Sequence, residues 1–527
     1  MWDKIVHEVN EEVPPFNDYL LLKFRSEKLK QIPEYFSMML AEGSKLLPGV
    51  KYLGYTELSP EEYLQKMLSE KSNGVIRGVD INPLNVSMLR YEFEFSGTKY
   101  EIFRQIPFMR NRYIEMYGKR YYPIFPVGER GGVHRSANSV IAKVMRAPLT
   151  FWRNTPVVFS TMSGKICREL IPTTKIYFGS TGSNKNKPPL LLYLLSKFGF
   201  YETLNRLGIP GRIIISETYR DDLNAEGWEH IKVAGCTQSL EDKSAPRICY
   251  IIAHKNDLQD QHMRSEDRVI KTVASLYSIL TFYKKFEYRD LVNSLAYYVA
   301  ALGKYNNPAI SKDISLMENA TNHIAMNDTL LDLVSIQQLQ TVGIYVNDFY
   351  EFITKVYLEI DEWLNNYNPI NQFDKKIGSL DQMMGGEVRK LFSKIYRIIN
   401  NRNVGVNHAT VRKFTRSASY SSNWLHSSSI FRCNPSRCND NWLLGIGAKR
   451  IRTLQNTEIG SGSNVSRATL PVALLKAHHS QLVVESALDI PTSSPITSGS
   501  INPYLQITES GDIITPDWVD DISEIYK

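Results

Sequence analysis

The chain has 527 residues, 43% of them hydrophobic and 22% charged, and carries a formal net charge of +7. That is ordinary globular composition with room for about two to four domains, each long enough to bury its own core. Five cysteines, few and odd in number, argue against a disulfide framework; with no long apolar run and no cleavable leader, the chain belongs in a reducing cytoplasm or a compartment continuous with it.

Residues 1–70 alternate helical stretches with prolines, and FNDYLLLKFRSEKLKQIPEYFSMMLAEGSKLL spaces its apolar residues as a helix does. In SPEEYLQKML, Ser59 is the predicted N-cap and Pro60 the first helical residue. From Gly74 to Ser160 the period shortens to that of strands. MLRYEFEFSGTKYEIFRQIPF alternates around an SGT turn, and RYIEMYGKRYYPIFPV reads as a second hairpin turning at Tyr117–Gly118–Lys119. Residues 155–255 mix three strands, PVVFST, RIIISE and RICYIIAH, with one helix, PPLLLYLLSKFGFYETLNRLG. Residues 265–400 are mainly amphipathic helix. After Asn401 the composition turns abruptly to Ser, Asn, Arg and Cys, and NTEIGSGSNVSRA has the composition of a flexible loop. The expectation is an α+β, multidomain protein with a basic, irregular, turn-rich end.

The charge is unevenly spread. Between Arg104 and Arg153 ten Lys/Arg stand against Glu115 and Glu129, and between Asn401 and Ser480 eleven stand against Asp440 and Glu458. The remainder of the chain is net acidic, so two basic segments suggest a localised polyanion-binding surface. In the first, Arg110 and Arg112 share one face of an extended strand and could follow a phosphate backbone; the bland alternative is a solvated basic hairpin. In the second, Cys433 and Cys438 form a C-x4-C pair with histidines on both sides, at the loose end of zinc-ligand spacing, or else are two free thiols. No Walker A, GxSxG or HExxH motif is present.

Three stretches, taken in order, resemble the β subunit of multisubunit DNA-directed RNA polymerases. Ile106-Pro107-Phe108-Met109 and then Tyr113 to Gly118 are similar to I-P-L-M followed by F-I-I-N-G, although KRYYPIF replaces the family's E-R-V. Asp440 to Asn456 resembles N-P-L-x-E-x-T-H-K-R-R-x-S-A-L-G, with Lys449 and Arg450 at the K-R and Ala448 at the histidine. His479, Glu485, Ile501–Asn502, Glu509, Gly511 and Thr515–Pro516 fall in the order of the T-H…E-T-P…I-N…E-x-G…T-P stretch. The low match and the position of the C-terminus look like the split-subunit type of phiKZ-like giant bacteriophages.

The resemblance implies an N-terminal β arrangement: an arm (1–25), a protrusion-like part (26–154), a lobe-like part (155–385), and a return to protrusion and fork (386–527). It implies nucleic-acid contacts in the fork and basic loops at Arg110, Arg112, Lys449, Arg450, Arg452, His479 and Glu485. No catalytic residue is expected here: the N-A-D-F-D-G-D-type aspartates are missing, so Mg2+ would sit on a β′-like partner and this chain would bind no cofactor. Implied partners are a C-terminal β-like fragment, β′-like fragments, a promoter-specificity subunit, DNA and RNA, with no membrane. The setting is an infected host's cytoplasm, a phage-made compartment within it, or the virion. Two other readings stay open: a non-catalytic phage nucleic-acid-binding or structural protein, and a zinc-dependent nuclease using Cys433 and Cys438.

Overall fold

The computed structural model describes residues 24–72, 86–107, 109–110, 113–116, 119–123, 127–136, 138–176, 187–216, 218–224, 227–237, 246–258, 266–283, 294–365, 371–377, 380–400, 405–419, 431–432, 480–484, 502 and 505–516. It is an α+β protein of two units, one made of residues 1–132 and 368–527, the other of residues 133–367. The first unit is therefore discontinuous in sequence.

The first unit opens with α1 (Phe24–Lys45) and β1 (Val50–Glu57), then α2 (Pro60–Ser72), β2 (Val86–Phe95) and β3 (Thr98–Pro107). The three strands form an antiparallel sheet in the order β1-β2-β3. Alternation in β2 buries Leu89, Tyr91, Phe93 and Phe95 on one face and Val86 and Met88 on the other. Ser96 (φ 48°) and Gly97 (φ 77°) are both left-handed, as a two-residue hairpin turn requires. At the start of α2 the Glu62 amide donates to Ser59 Oγ (3.2 Å) and the Ser59 amide to Glu62 Oε2 (2.9 Å). This reciprocal capping box satisfies two helix-end donors and sets Tyr63 and Met67 against Val86, Met88 and Phe103. The chain continues through β4 (Met109–Arg110), β5 (Tyr113–Met116), β6 (Lys119–Pro123) and β7 (Val127–Glu129). Met116 pairs with Lys119, so Lys119 belongs to the strand rather than the turn.

The second unit begins with β8 (Val133–Ser136), β9 (Ser139–Lys143), β10 (Pro148–Ser160) and β11 (Ile166–Thr174), an antiparallel meander. The next segment forms α3 (Leu190–Phe198) and α4 (Phe200–Arg206), not one helix, because Gly199 takes φ 77° between them. The elements β12 (Ile213–Ser216), α5 (Asp221–Asn224), β13 (Trp228–Thr237) and β14 (Pro246–His254) follow, and the strands make a sheet in the order β12-β14-β13. The helices α6 (Glu266–Phe282), α7 (Leu295–Asn306), α8 (Asp313–Asn327), α9 (Leu333–Gln340) and α10 (Phe349–Asn365) close one core with both sheets. Arg153 on β10 binds Glu169 on β11 (2.8 Å) and Asp361 on α10 (2.7 Å), and Lys271 on α6 binds Asp361 (2.7 Å). Burial alone would raise the Asp361 carboxyl, but Lys271 and Arg153 hold it below the usual carboxylate range. The network ties sheet to helices with charges that are compensated.

His323 on α8 is buried, its ring 5.8 Å from that of Tyr193, and burial pushes its imidazole down to about 4. An unfolded histidine protonates near 6.5. Between those values the unfolded state holds the extra proton, so stability rises with pH; it is fully present above the upper value and is lost as pH falls toward the lower. We expect His323→Gln to flatten the stability–pH curve of the second unit across that window, by on the order of 2 kcal/mol. Parallel curves for the two proteins, measured by hydrogen exchange in α8, would rule this out.

The chain then returns to the first unit with β15 (Lys375–Ile377), which pairs with β7, and α11 (Leu380–Asn400). Next come α12 (His408–Ala418), β16 (Phe431–Arg432), which pairs with β6, and α13 (Ser480–Val484). A helix at α12 departs from the irregular structure expected after Asn401. Asn407 caps it: the Thr410 amide donates to Asn407 Oδ1 (2.9 Å) and the Asn407 amide to Thr410 Oγ1 (2.8 Å). Among the described residues no helix is long and apolar enough to cross a membrane.

Candidate nucleic-acid interface

Of the residues expected to contact nucleic acid, Arg112, Lys449, Arg450, Arg452, His479 and Glu485 lie outside the described residues, as do Cys433 and Cys438. Arg110 is placed by its backbone on β4, opposite Tyr113 of β5. The end of the stretch expected to form a fork lies among the described residues. Asn502 Nδ2 donates to the Val483 carbonyl at 2.9 Å, and the Asn502 amide donates to the Val484 carbonyl at the same distance. Gly511 takes φ 90° in a tight turn. Beyond it Asp512, buried, bridges to Lys376 of β15 and lies 3.4 Å from the Arg130 guanidinium. This segment is thereby stitched onto β15, and Glu509 is left exposed.

Among the described side chains, not every cation of the first basic segment lies on a surface. Arg104, Arg146 and Arg153 are largely buried, and Arg104 and Arg153 face carboxylates rather than solvent: Glu387 for Arg104, Glu169 and Asp361 for Arg153. A charge count along the sequence cannot separate such cations from exposed ones, because a buried guanidinium needs a buried partner. The segment is also shared between the two units.

A different basic face emerges from α11 and α12. From Arg389 to Ser419 the sequence has eight Lys/Arg and no Asp or Glu. The apolar residues Val388, Leu391, Phe392 and Ile395 turn α11 inward. That leaves Lys390, Lys394 and Arg397, at i, i+4 and i+7, on one outer stripe. On α12, Val411, Phe414, Thr415 and Ala418 are buried, while Arg412, Lys413 and Arg416 are exposed. Contacts with β3 and its hairpin fix this orientation: the Phe103 amide donates to Ser419 Oγ (3.1 Å), Tyr100 Oη and His408 Nδ1 share a hydrogen bond (2.8 Å), and the Phe95 ring meets that of His408 edge-on at 5.0 Å. Lys394 Nζ donates to the Ser417 carbonyl at 2.6 Å, joining the two stripes. Burial lowers the Lys394 ammonium, and so do the neighbouring cations Arg104, Lys390 and Arg397, against the opposing pull of Glu387.

Sequence reading missed Lys390, Lys394 and Arg397, because it placed the basic run after Asn401. The signal that could have found them was three cations at helical spacing followed by α12 with no acidic residue between. Among the described residues no three His, Cys, Asp or Glu side chains gather where they could hold one metal ion.

Residues 1–517 match the family model described as "Non-virion RNA polymerase subunit". No curated protein matches the chain.

Proposed function

The chain belongs to the non-virion RNA polymerase subunit family, and from that premise we propose that it is the β-like N-terminal subunit of a phage multisubunit DNA-directed RNA polymerase. The observation that carries the finer assignment is the nesting of the units. The chain leaves the first unit at Gly132, builds the second from residues 133–367, and returns to the first. A protrusion interrupted by a lobe, followed by a return toward a fork, has the same order.

In this reading the subunit helps hold downstream DNA and the RNA–DNA hybrid and shapes the cleft. Arg110, Arg112, Lys449, Arg450, Arg452, His479 and Glu485 supply contacts. Cations at such positions act on phosphates, which give affinity without sequence preference. Catalytic Mg2+ is held by a β′-like partner, since nucleotidyl transfer needs metal ions clamped by clustered carboxylates. A C-terminal β-like fragment and a promoter-specificity subunit complete the assembly in the infected cell.

The test is reconstitution. The full chain should co-purify in fixed stoichiometry with other subunits, and only that complex should make RNA from a DNA template. RNA synthesis by the chain alone would overturn the division of labour proposed here, and failure to join any polymerase subunit would overturn the β-like assignment.

A further inference from the structure

We infer that the outer face of α11 and α12, built from Lys390, Lys394, Arg397, Arg412, Lys413 and Arg416, is a sequence-independent binding site for the phosphate backbone of double-stranded DNA. Four observations carry it. Arg397, Arg412, Lys413 and Arg416 are exposed, and among the described residues none of them has an acidic partner. Like charges gathered without compensation destabilise a fold slightly and focus a positive potential on solvent, where a polyanion is the matching ligand.

The cations are also held in place. Both helices are anchored on their apolar sides, and the Lys394–Ser417 bond fixes one stripe against the other. Arg412 and Arg416 lie one turn apart, about 6 Å along the axis, so one helix face can meet successive backbone charges. The aromatic side chains Phe392, Tyr396 and Phe414 of these helices all point into the core. A single strand is held largely by bases stacking on exposed aromatics, and among the described residues of these two helices no Tyr, Phe or Trp offers that platform. What remains is charge alone, and the duplex carries the denser charge. An acidic surface of another subunit is the competing occupant, and the test separates the two.

The inference rests on membership of a polymerase-subunit family and not on the β-like assignment. The full chain is titrated with a labelled random-sequence DNA duplex over a series of salt concentrations, beside a variant carrying Arg397→Ala, Arg412→Ala, Lys413→Ala and Arg416→Ala. A second variant carries Arg397→Lys, Arg412→Lys and Arg416→Lys. The alanine variant should lose on the order of a hundredfold in duplex affinity at low salt, and its log–log salt slope should flatten by about 3 to 4 units. The lysine variant, which keeps every charge, should bind nearly as the parent does and exclude a folding defect.

Equal duplex affinity and slope in parent and alanine variant would overturn the inference. So would tighter binding of single-stranded RNA than of duplex by the parent. Loss of subunit assembly with duplex affinity intact would give the face to an acidic protein partner and overturn it likewise. Should the chain join no polymerase subunit yet show the variant-dependent duplex binding, the β-like reading falls and this site stands.

Discussion

Gly303→Ala is expected to destabilise the second unit by about 2–4 kcal/mol, although the same change at an ordinary helical position stabilises by about 1 kcal/mol. The residue lies in α7, where nearly every side chain is buried, including Tyr297, Tyr298, Ala301 and Leu302. A Cβ at position 303 would lie 2.2 Å from the Leu316 carbonyl oxygen and 2.7 Å from its carbon. Both are backbone atoms of α8, so no side-chain rotation relieves the clash and the two helices must part. Parting them opens voids in the core that α7 and α8 share with α3, and close-packed interiors tolerate that poorly. Gly386 of α11 is the internal control: it is exposed, and a Cβ there would meet nothing within 4 Å. Gly386→Ala should therefore stabilise its own unit slightly. Because a chain of two units need not unfold in one step, the measurement is native-state hydrogen exchange, with peptides from α7, α8 and α11 followed separately. An exchange rate in α7 and α8 equal to that of the parent would show that the helices are not in the contact described.

The elements that were legible are those in which one local rule decides. The hairpin of β2 and β3 is visible in its alternation and in Ser96–Gly97, and α2 in its Ser59–Pro60 start. Gly199 does not show as a break in the sequence, since a glycine inside an apolar helical pattern reveals its φ only when the chain bends there. β1 was missed because VKYLGYTE buries little and carries Gly54 at φ 135° in its middle. α12 was missed because its composition is polar, although Val411, Phe414, Thr415 and Ala418 keep the helical spacing. For the candidate site the limit is of another kind. Arg104 and Arg416 look alike in a sequence, yet one is buried against Glu387 and the other exposed. Which cations share a surface depends on how α11 and α12 pack, and the window from Arg389 to Ser419 that holds both stripes does not say that they face the same way.

Breaking the Arg104–Glu387 pair should cost the first unit about 3–5 kcal/mol, the range for a buried ion pair that loses one partner. Arg104 Nη1 lies 3.0 Å from Glu387 Oε2, and the two side chains are only 8% and 9% exposed. The guanidinium also sits over the Phe36 ring, 4.7 Å from its centroid. Three elements meet at this charge: β3 through Arg104, α11 through Glu387 and α1 through Phe36. Burial pulls the guanidinium's proton affinity down and Glu387 pulls it up, so the carboxylate is what makes a buried arginine tolerable. Glu387→Ala leaves that cation in the core with no counter-charge, and also frees Lys390, which binds the other carboxylate oxygen at 2.8 Å. Glu387→Gln keeps the acceptor but loses the charge and should cost less. Arg104→Met combined with Glu387→Leu removes both charges and fills the space, and should recover most of the loss. Urea unfolding followed by exchange in β3 and α11 measures all four proteins. A double variant no more stable than Glu387→Ala would mean that the lost packing, not the stranded charge, sets the cost. The consequence reaches the surface, because α11 carries Lys390, Lys394 and Arg397 on the side opposite its buried residues. Loosening its anchor should disorder the basic stripe, so Glu387→Ala should weaken duplex binding even though it also releases Lys390 from its carboxylate, whereas the apolar pair, which restores the anchor, should bind DNA at least as tightly as the parent does.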